Sequence, residues 1–185
     1  MFSAEAKALT FLSEAGLVKI PFFQRRYVWK EENWSELYDN FFDSDIPGFL
    51  GSIILKGKRK VKVTDPSECS VIDGQQRLTT LSIFVMALYD SLNENDKKYY
   101  YTDLINVIFR KDVGIDENGN PIYVPRLVHS HLDKDEFDYV MDLKRIDKIK
   151  ENSNSLINNC YKYFYYKFIN EDYENRKKLL NALIT

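Results

Sequence analysis

One glycine separates a short apolar segment from a long helical pattern, and this junction constrains the fold of the chain most strongly. The segment CSVI at residues 69–72 predicts a buried strand, and Gly74 follows it closely. From residue 75 to about residue 92, apolar residues recur at helical spacing, namely Leu78, Leu81, Val85, Leu88 and Leu92. A strand that leads directly into an amphipathic helix predicts a mixed fold. A chain of 185 residues, 44% of them hydrophobic, can bury a sizeable core.

The chain divides into two parts near residue 92. We predict an α+β fold, with a mixed core at residues 1–92 and a mainly helical extension at residues 93–185. The final helical pattern still continues where the chain stops, so we expect a piece of a longer protein. The predicted helices span residues 3–15, 30–43, 75–92, 95–110, 132–143, 153–171 and 175–185. The predicted strands span residues 17–20, 49–63 (as two strands around a turn at Gly57) and 69–72.

The composition sets limits on function and location. The net charge of -2 gives no overall attraction to nucleic acid, so DNA binding would need a local basic patch. The two cysteines, Cys69 and Cys160, are far apart, which favours a reducing compartment over a disulfide scaffold. We expect a cytoplasmic protein, because the sequence has no recognisable signal peptide and no apolar run long enough to span a membrane.

Four polar side chains surround the glycine of the junction: Asp73, Gln75, Gln76 and Arg77. The first amides of a helix lack partners within the helix and lie at the positive end of its dipole, so they can bind an anion. Gly74 has no Cβ that would keep a ligand from the backbone, and the forked guanidinium of Arg77 suits phosphate. Asp73 could hold a magnesium ion, orient Arg77 or cap the helix. On spacing alone, a plain helix start without a ligand is the simpler interpretation.

Two other polar clusters have both a structural and a functional interpretation. Gln24 and Arg25 lie in a loop rich in aromatic residues, where they are either solvated at the surface or in contact with a polar ligand. Lys58, Arg59 and Lys60 lie in the dense basic stretch KGKRKVKV, which would suit the phosphate backbone of DNA. Lysines also protect exposed strand edges against aggregation, and this is the simpler interpretation of the basic hairpin.

Three motifs, taken in order, resemble the N-terminal domain of GmrSD-type restriction endonucleases. They are IPFFQRRYVW at residues 20–29, FLGSIIL at residues 49–55 and VIDGQQRLTTL at residues 71–81, and the resemblance extends over nearly the whole chain. It implies a small mixed sheet with helices, similar to ParB and sulfiredoxin. In those relatives a Gly-x-x-Arg sequence at a strand-to-helix junction contacts nucleotide phosphates, and Gly74 and Arg77 match its spacing.

The resemblance also implies a function. Members of the family hydrolyse, or are stimulated by, nucleoside triphosphates, and they act against foreign, often modified, DNA. An HNH-type nuclease domain commonly follows the domain that this chain resembles. Transferred to this sequence, the resemblance implies that hydrolysis is catalysed by Asp73, Gln75, Gln76 and Arg77, and that Asp73 binds Mg²⁺. The nucleotide would be bound by Gln24, Arg25, Tyr27, Gly51, Ser52, Gly74 and Arg77.

Three alternatives to hydrolysis stay open. The domain could bind DNA and sense its modification without hydrolysing a nucleotide. It could itself be a ParB-like nuclease. It could also be an interaction domain with a degenerate site, although the intact motifs argue against that.

Overall fold

The computed structural model describes residues 12, 15–42, 51–58, 67–129 and 131–184, and it has the α+β fold predicted from the sequence. The described strands are β1 (Leu17–Lys19), β2 (Ile54–Gly57), β3 (Glu68–Asp73), β4 (Phe109–Ile115), β5 (Pro121–Pro125) and β6 (Leu127–Val128). The described helices are α1 (Glu31–Phe42), α2 (Gln75–Asp90), α3 (Glu94–Ile108), α4 (Lys134–Val140), α5 (Leu156–Asn170) and α6 (Tyr173–Ile184). Within these ranges, no helix is both long and apolar enough to cross a membrane. Most of the helix predicted at residues 3–15 lies outside the described residues.

Four of the strands form one mixed sheet in the order β2-β3-β1-β6. β1 pairs in parallel with both β3 and β6, and β2 pairs antiparallel with β3. β3 therefore lies inside the sheet, and its residue Val71 is fully buried. β4 and β5 form a separate hairpin. Because β6 comes after residue 92, the hydrogen bonds of the sheet join the two segments into which the sequence was divided.

Helix α2 lies at the centre of the fold. It packs against α5, α3 and β6 and is buried on nearly every side between Gln75 and Leu88. Phe84 contacts Phe164 and Phe168 of α5 edge to face, with ring centroids 5.0 Å apart in each pair. Three buried hydroxyl groups of α2 each donate to the backbone carbonyl four residues earlier in the helix. They belong to Thr79, Thr80 and Ser82. These polar side chains are thus satisfied inside the core, and the first turn of α2 has a fixed position.

The turn predicted at Gly57 is wrong. Gly57 is the last residue of β2 and pairs with Cys69. The amide of the next residue, Lys58, donates to the carbonyl of Glu68 at 2.8 Å. Glycine favours turns, but here the pairing with β3 continues past it. Residues 59–66, which connect β2 with β3, lie outside the described residues.

Candidate functional site

A small pocket of about 130 Å³ lies where β3 passes into α2. Its walls come from this junction and from the loop that precedes α1, two segments that are far apart in the sequence. The lining residues are Gln24, Arg25, Trp29, Asp73, Gly74, Gln75, Gln76 and Arg77. The fold therefore brings together two polar clusters that the sequence shows separately. Trp29, which the sequence did not single out as a site residue, completes the lining.

Gly74 makes the turn from β3 into α2. Its φ of 92° lies in the left-handed region, which a residue with a Cβ enters at a cost of about 1–2 kcal/mol. A Cβ at this position would also lie 3.0 Å from Cγ1 of Ile53, closer than an ordinary contact. Gly74, the N-cap of α2, has no side chain that could accept from the first amides of the helix, and no side-chain cap occurs among the described residues. Helix amides without such an acceptor can bind an anion at the edge of the pocket.

Arg77 lies against the backbone of Gly51 and Ser52. Its Nη1 donates to the carbonyl oxygen of Ser52 at 2.9 Å. Gly51 has a φ of 86°, and a Cβ on it would lie 2.5 Å from Nε of Arg77, so the glycine leaves the room that the guanidinium occupies. The resemblance implied that Gly51 and Ser52 contact the nucleotide. Neither lines the pocket, both contact Arg77, and a contact with the nucleotide stays a prediction.

The two adjacent glutamines have different environments. Both ends of the Gln76 amide are bound by the loop backbone, because Oε1 accepts from the amide of Val28 at 2.8 Å and Nε2 donates to the carbonyl of Arg26 at 3.0 Å. Gln75 is 7% exposed and its Nε2 donates to the carbonyl of Arg25 at 2.8 Å. Its buried Oε1 has no hydrogen-bond partner within the described residues. An unsatisfied buried acceptor costs about 1–3 kcal/mol, so a bound donor such as water would stabilise the site at Gln75.

The loop opposite α2 is fixed by further hydrogen bonds. The Nε2 of Gln24 donates to the carbonyl of Ile72, the β3 residue before Asp73, at 3.1 Å. The amide of Tyr27 donates to Oδ2 of Asp133 at 2.8 Å. The side chain of Arg25, which lies between these two anchors, is exposed and lines the pocket. Two guanidinium groups and one carboxylate therefore border the pocket, and this favours an anion.

Residues 8–184 match the family described as the GmrSD restriction endonuclease, N-terminal domain. The chain belongs to this family. The match covers nearly the whole chain and confirms the resemblance that the three motifs indicated. A comparison with curated proteins found no match. Membership connects this GmrSD N-terminal domain with restriction endonucleases and, in general, with DNA. The likeness of its fold to ParB stays a prediction.

Tyr27 of the GmrSD N-terminal domain lies in the core and does not line the pocket, and the nucleotide contact that the resemblance implied for it stays a prediction. Its side chain is 5% exposed. Its hydroxyl lies 2.6 Å from Oγ1 of Thr80 and accepts from Nε1 of Trp34 at 2.8 Å. Burial raises the pKa of the Tyr27 phenol well above its usual value. Tyr27 is buried while its neighbours Arg26 and Val28 are exposed.

Replacing Tyr27 with phenylalanine is expected to destabilise the fold and to leave the pocket unchanged. The substitution removes the acceptor of the buried Nε1–H of Trp34, and a buried donor without a partner costs about 1–3 kcal/mol. Urea unfolding should show this loss as a lower midpoint with an unchanged slope. Titration with a nucleoside triphosphate should give the affinity of the unchanged protein. Weaker binding with an unchanged midpoint would restore Tyr27 to the binding site.

His129 supports the first turn of α2 from the side of the core. It follows β6, is 6% exposed, and its Nε2 lies 2.9 Å from Oγ1 of Thr79. Since the Thr79 hydroxyl donates its one proton to the carbonyl of Gln75, His129 donates at Nε2. Burial lowers the pKa of His129 to about 3, so the ring is neutral at physiological pH. Sequence reasoning did not find this support, because the contact joins residues 50 positions apart.

Asp73 is the acidic residue that lines the pocket, and it is exposed. No group of three or more metal-binding side chains occurs among the residues that the structure describes. Mg²⁺ is usually held by one or two carboxylates together with water and phosphate oxygens. A single exposed carboxylate therefore fits an ion that arrives with a nucleotide, and it does not fit a resident ion held by protein ligands alone.

Lys58 is the one residue of the predicted DNA-binding set that the structure describes, since Arg59 and Lys60 lie outside the described residues. The Lys58 side chain is 69% exposed and pairs with Glu68 at 3.3 Å. Lys19 pairs with the same carboxylate at 3.1 Å, and the two lysines lower the pKa of Glu68. Lys58 therefore has a partner within the protein. The DNA contact of the basic hairpin stays a prediction.

A larger open groove of about 820 Å³ lies between α1 and α5. Its lining includes Lys162 and Lys167, but both cations have partners: Lys162 pairs with Glu151, and Lys167 lies over the rings of Tyr38 and Tyr163. The helix start that borders the groove carries Glu31, which disfavours an anion. The pocket at the start of α2 is therefore the better anion site.

Proposed function

We propose that this GmrSD N-terminal domain binds a nucleoside triphosphate, with the phosphates in the pocket at the start of α2, and hydrolyses it. Hydrolysis would control DNA cleavage by a nuclease domain of the same restriction endonuclease, in defence against phage. One arrangement supports the proposal. The start of α2, which no described side chain caps, borders one pocket together with two guanidinium groups and a buried glutamine whose oxygen has no partner within the described residues. Membership in the family supports the connection with DNA.

The size of the pocket indicates which part of the nucleotide it would hold. Pockets for whole small molecules usually measure roughly 300–1,000 Å³, whereas this one measures about 130 Å³. Its lining is polar and charged, with Arg25 and Arg77 on two sides and the backbone of Gly74 between β3 and α2. These features suit phosphate groups, so the sugar and the base would lie outside the pocket.

Each lining residue has a definite task in this proposal. Arg77, held by the carbonyl of Ser52, would bind phosphate oxygens and neutralise the charge that develops during phosphoryl transfer. Arg25 would add a second positive charge from the loop. Asp73 would hold Mg²⁺, which when bound supplies further neutralisation of phosphate charge. Gln75 would accept a hydrogen bond from the attacking water through its unsatisfied Oε1. Gln76 keeps the loop in place.

Calorimetric titration with each of the four nucleoside triphosphates in the presence of Mg²⁺ tests the binding step. Phosphate release, measured with and without duplex DNA, tests hydrolysis. The variant Gln75→Leu separates the two steps: it should lower phosphate release more than affinity, because the proposed contact is to the water and not to the phosphates. Absence of binding of all four nucleotides at millimolar concentration would contradict the proposal. Binding without phosphate release in either condition would reduce the domain to a nucleotide-dependent sensor.

A further inference from the structure

Two large aromatic side chains are exposed on the turn that enters the loop. Phe22 is 84% exposed and Phe23 is 69% exposed. Their rings contact each other edge to face, with centroids 5.6 Å apart. The turn is closed by the amide of Gln24, which donates to the carbonyl of Pro21 at 3.1 Å. The backbone thus keeps both rings at the surface, where exposed apolar groups side by side often mark a binding site.

The turn at residues 21–24, called the aromatic turn below, leads directly into the wall of the pocket at the start of α2. Gln24 follows Phe23 in the chain, lines the pocket, and is fixed to β3 through its bond to the carbonyl of Ile72. Consecutive Cα atoms lie about 3.8 Å apart, so Phe23 is one residue from the pocket wall. Ile72, whose carbonyl binds Gln24, is itself 47% exposed.

In the proposed function the pocket would hold the phosphates, but it is too small for a whole nucleotide, so the base would lie on the surface around it. We propose that Phe22 and Phe23 form the surface on which the base of the bound nucleoside triphosphate stacks. This inference rests on the function proposed above. Stacking on an aromatic ring accepts every base, because each base has a π-face. The four nucleotides should therefore bind with similar affinity.

A comparison of nucleoside triphosphates with inorganic tripolyphosphate tests the inference, because tripolyphosphate has the phosphates but no base. With Mg²⁺ present, the unchanged domain should bind each nucleotide roughly five- to a hundredfold more tightly than tripolyphosphate, the range expected for stacking of one base. The double variant Phe22→Leu/Phe23→Leu keeps apolar side chains without aromatic faces. It should lose most of this preference and bind tripolyphosphate as before.

Tyr99→Ser is the matched control. Tyr99 is 77% exposed and also contacts its neighbour Tyr100 edge to face, with centroids 4.8 Å apart, but it lies on α3 and does not line the pocket. The control should keep the nucleotide preference. Thermal unfolding of all variants should agree within a few degrees, because the changed side chains are exposed.

The possible results separate the inference from the function on which it rests. Equal affinity of the unchanged domain for nucleotides and tripolyphosphate would overturn the stacking surface and leave phosphate binding intact. The same follows if the double variant keeps the full preference for nucleotides. A domain that binds neither ligand overturns the proposed function and the inference together. Sedimentation of the double variant measures its oligomeric state. If the oligomeric state changes and the nucleotide preference does not, the aromatic turn is a contact between copies of the chain.

Discussion

Replacing Arg77 with alanine is expected to weaken binding of nucleoside triphosphates roughly ten- to a hundredfold. Hydrogen bonds to charged groups are worth about 1.5–3 kcal/mol each, and every 1.4 kcal/mol is about a factor of ten in affinity. Folding should change much less, because Arg77 is partly exposed and the lost bond to the carbonyl of Ser52 lies at the surface. Calorimetric titration and urea unfolding measure the two effects separately.

Two further variants make this result specific. Arg26 is exposed and carries the same charge in the facing loop, but it does not line the pocket, so Arg26→Ala should bind as the unchanged protein does. Arg77→Lys keeps the charge and loses the planar fork, so its affinity should lie between those of the alanine variant and the unchanged protein. If Arg26→Ala and Arg77→Ala weaken binding equally, the effect comes from overall charge and the pocket is not the site.

The junction between β3 and α2 was predictable because its signals are local. An apolar strand, a glycine and a helical pattern follow one another directly, and Gly74 indeed has the positive φ that the turn requires. The place of Gln24 and Arg25 beside this junction could be suggested only by a resemblance. Nothing in the local sequence states that a loop about 50 residues away folds over the start of α2.

Sequence motifs could not predict the directions in which the side chains point. Gln75 and Gln76 are the same residue type, but successive residues of a helix are rotated by about 100° around the helix axis, so their side chains point in different directions. One amide is bound by the loop at both its oxygen and its nitrogen, while the oxygen of the other has no hydrogen-bond partner within the described residues. Tyr27 directly follows the polar residues Gln24, Arg25 and Arg26 in its motif, yet it is buried in the core. The motif does not distinguish residues that line the pocket from residues that support it.

The two-residue strand β6 illustrates a different limit. Leu127 and Val128 carry no strand signal of their own, since so short a run has no readable period. Their pairing with β1 depends on the position that the rest of the fold gives them. The same strand brings His129 against Thr79, and so it supports the first turn of α2. Contacts of this kind follow from topology, which the local pattern does not contain.

Replacing Gly51 with alanine is expected to weaken nucleotide binding through Arg77, although Gly51 itself does not line the pocket. A Cβ at this position would lie 2.5 Å from Nε and 2.7 Å from Cζ of Arg77. The guanidinium lies at the end of a flexible side chain, so it would move away from the Cβ. It would then no longer be positioned to bind phosphate in the pocket. Affinity should therefore fall toward the value of Arg77→Ala, by roughly tenfold or more.

The backbone of Gly51 adds a separate effect on stability. Its φ of 86° is unfavourable for alanine by about 1–2 kcal/mol, and this cost does not depend on Arg77. Gly119 provides the matched control, because it has a φ of 80° in the turn between β4 and β5 and a Cβ there would meet nothing within 4 Å. Gly119→Ala should lower the free energy of unfolding by a similar amount and leave nucleotide affinity unchanged.

A double-mutant cycle decides whether Gly51 acts through Arg77. If displacement of the guanidinium is the cause, Gly51→Ala should have almost no further effect on affinity in a protein that already carries Arg77→Ala, because no guanidinium remains to be displaced. The two losses of affinity would then be strongly non-additive, whereas the backbone cost of Gly51→Ala would lower stability in both backgrounds. Equal losses of affinity in both backgrounds would mean that the backbone at Gly51 meets the ligand directly, and Gly51 and Ser52 would then return to the nucleotide-binding surface that the resemblance implied.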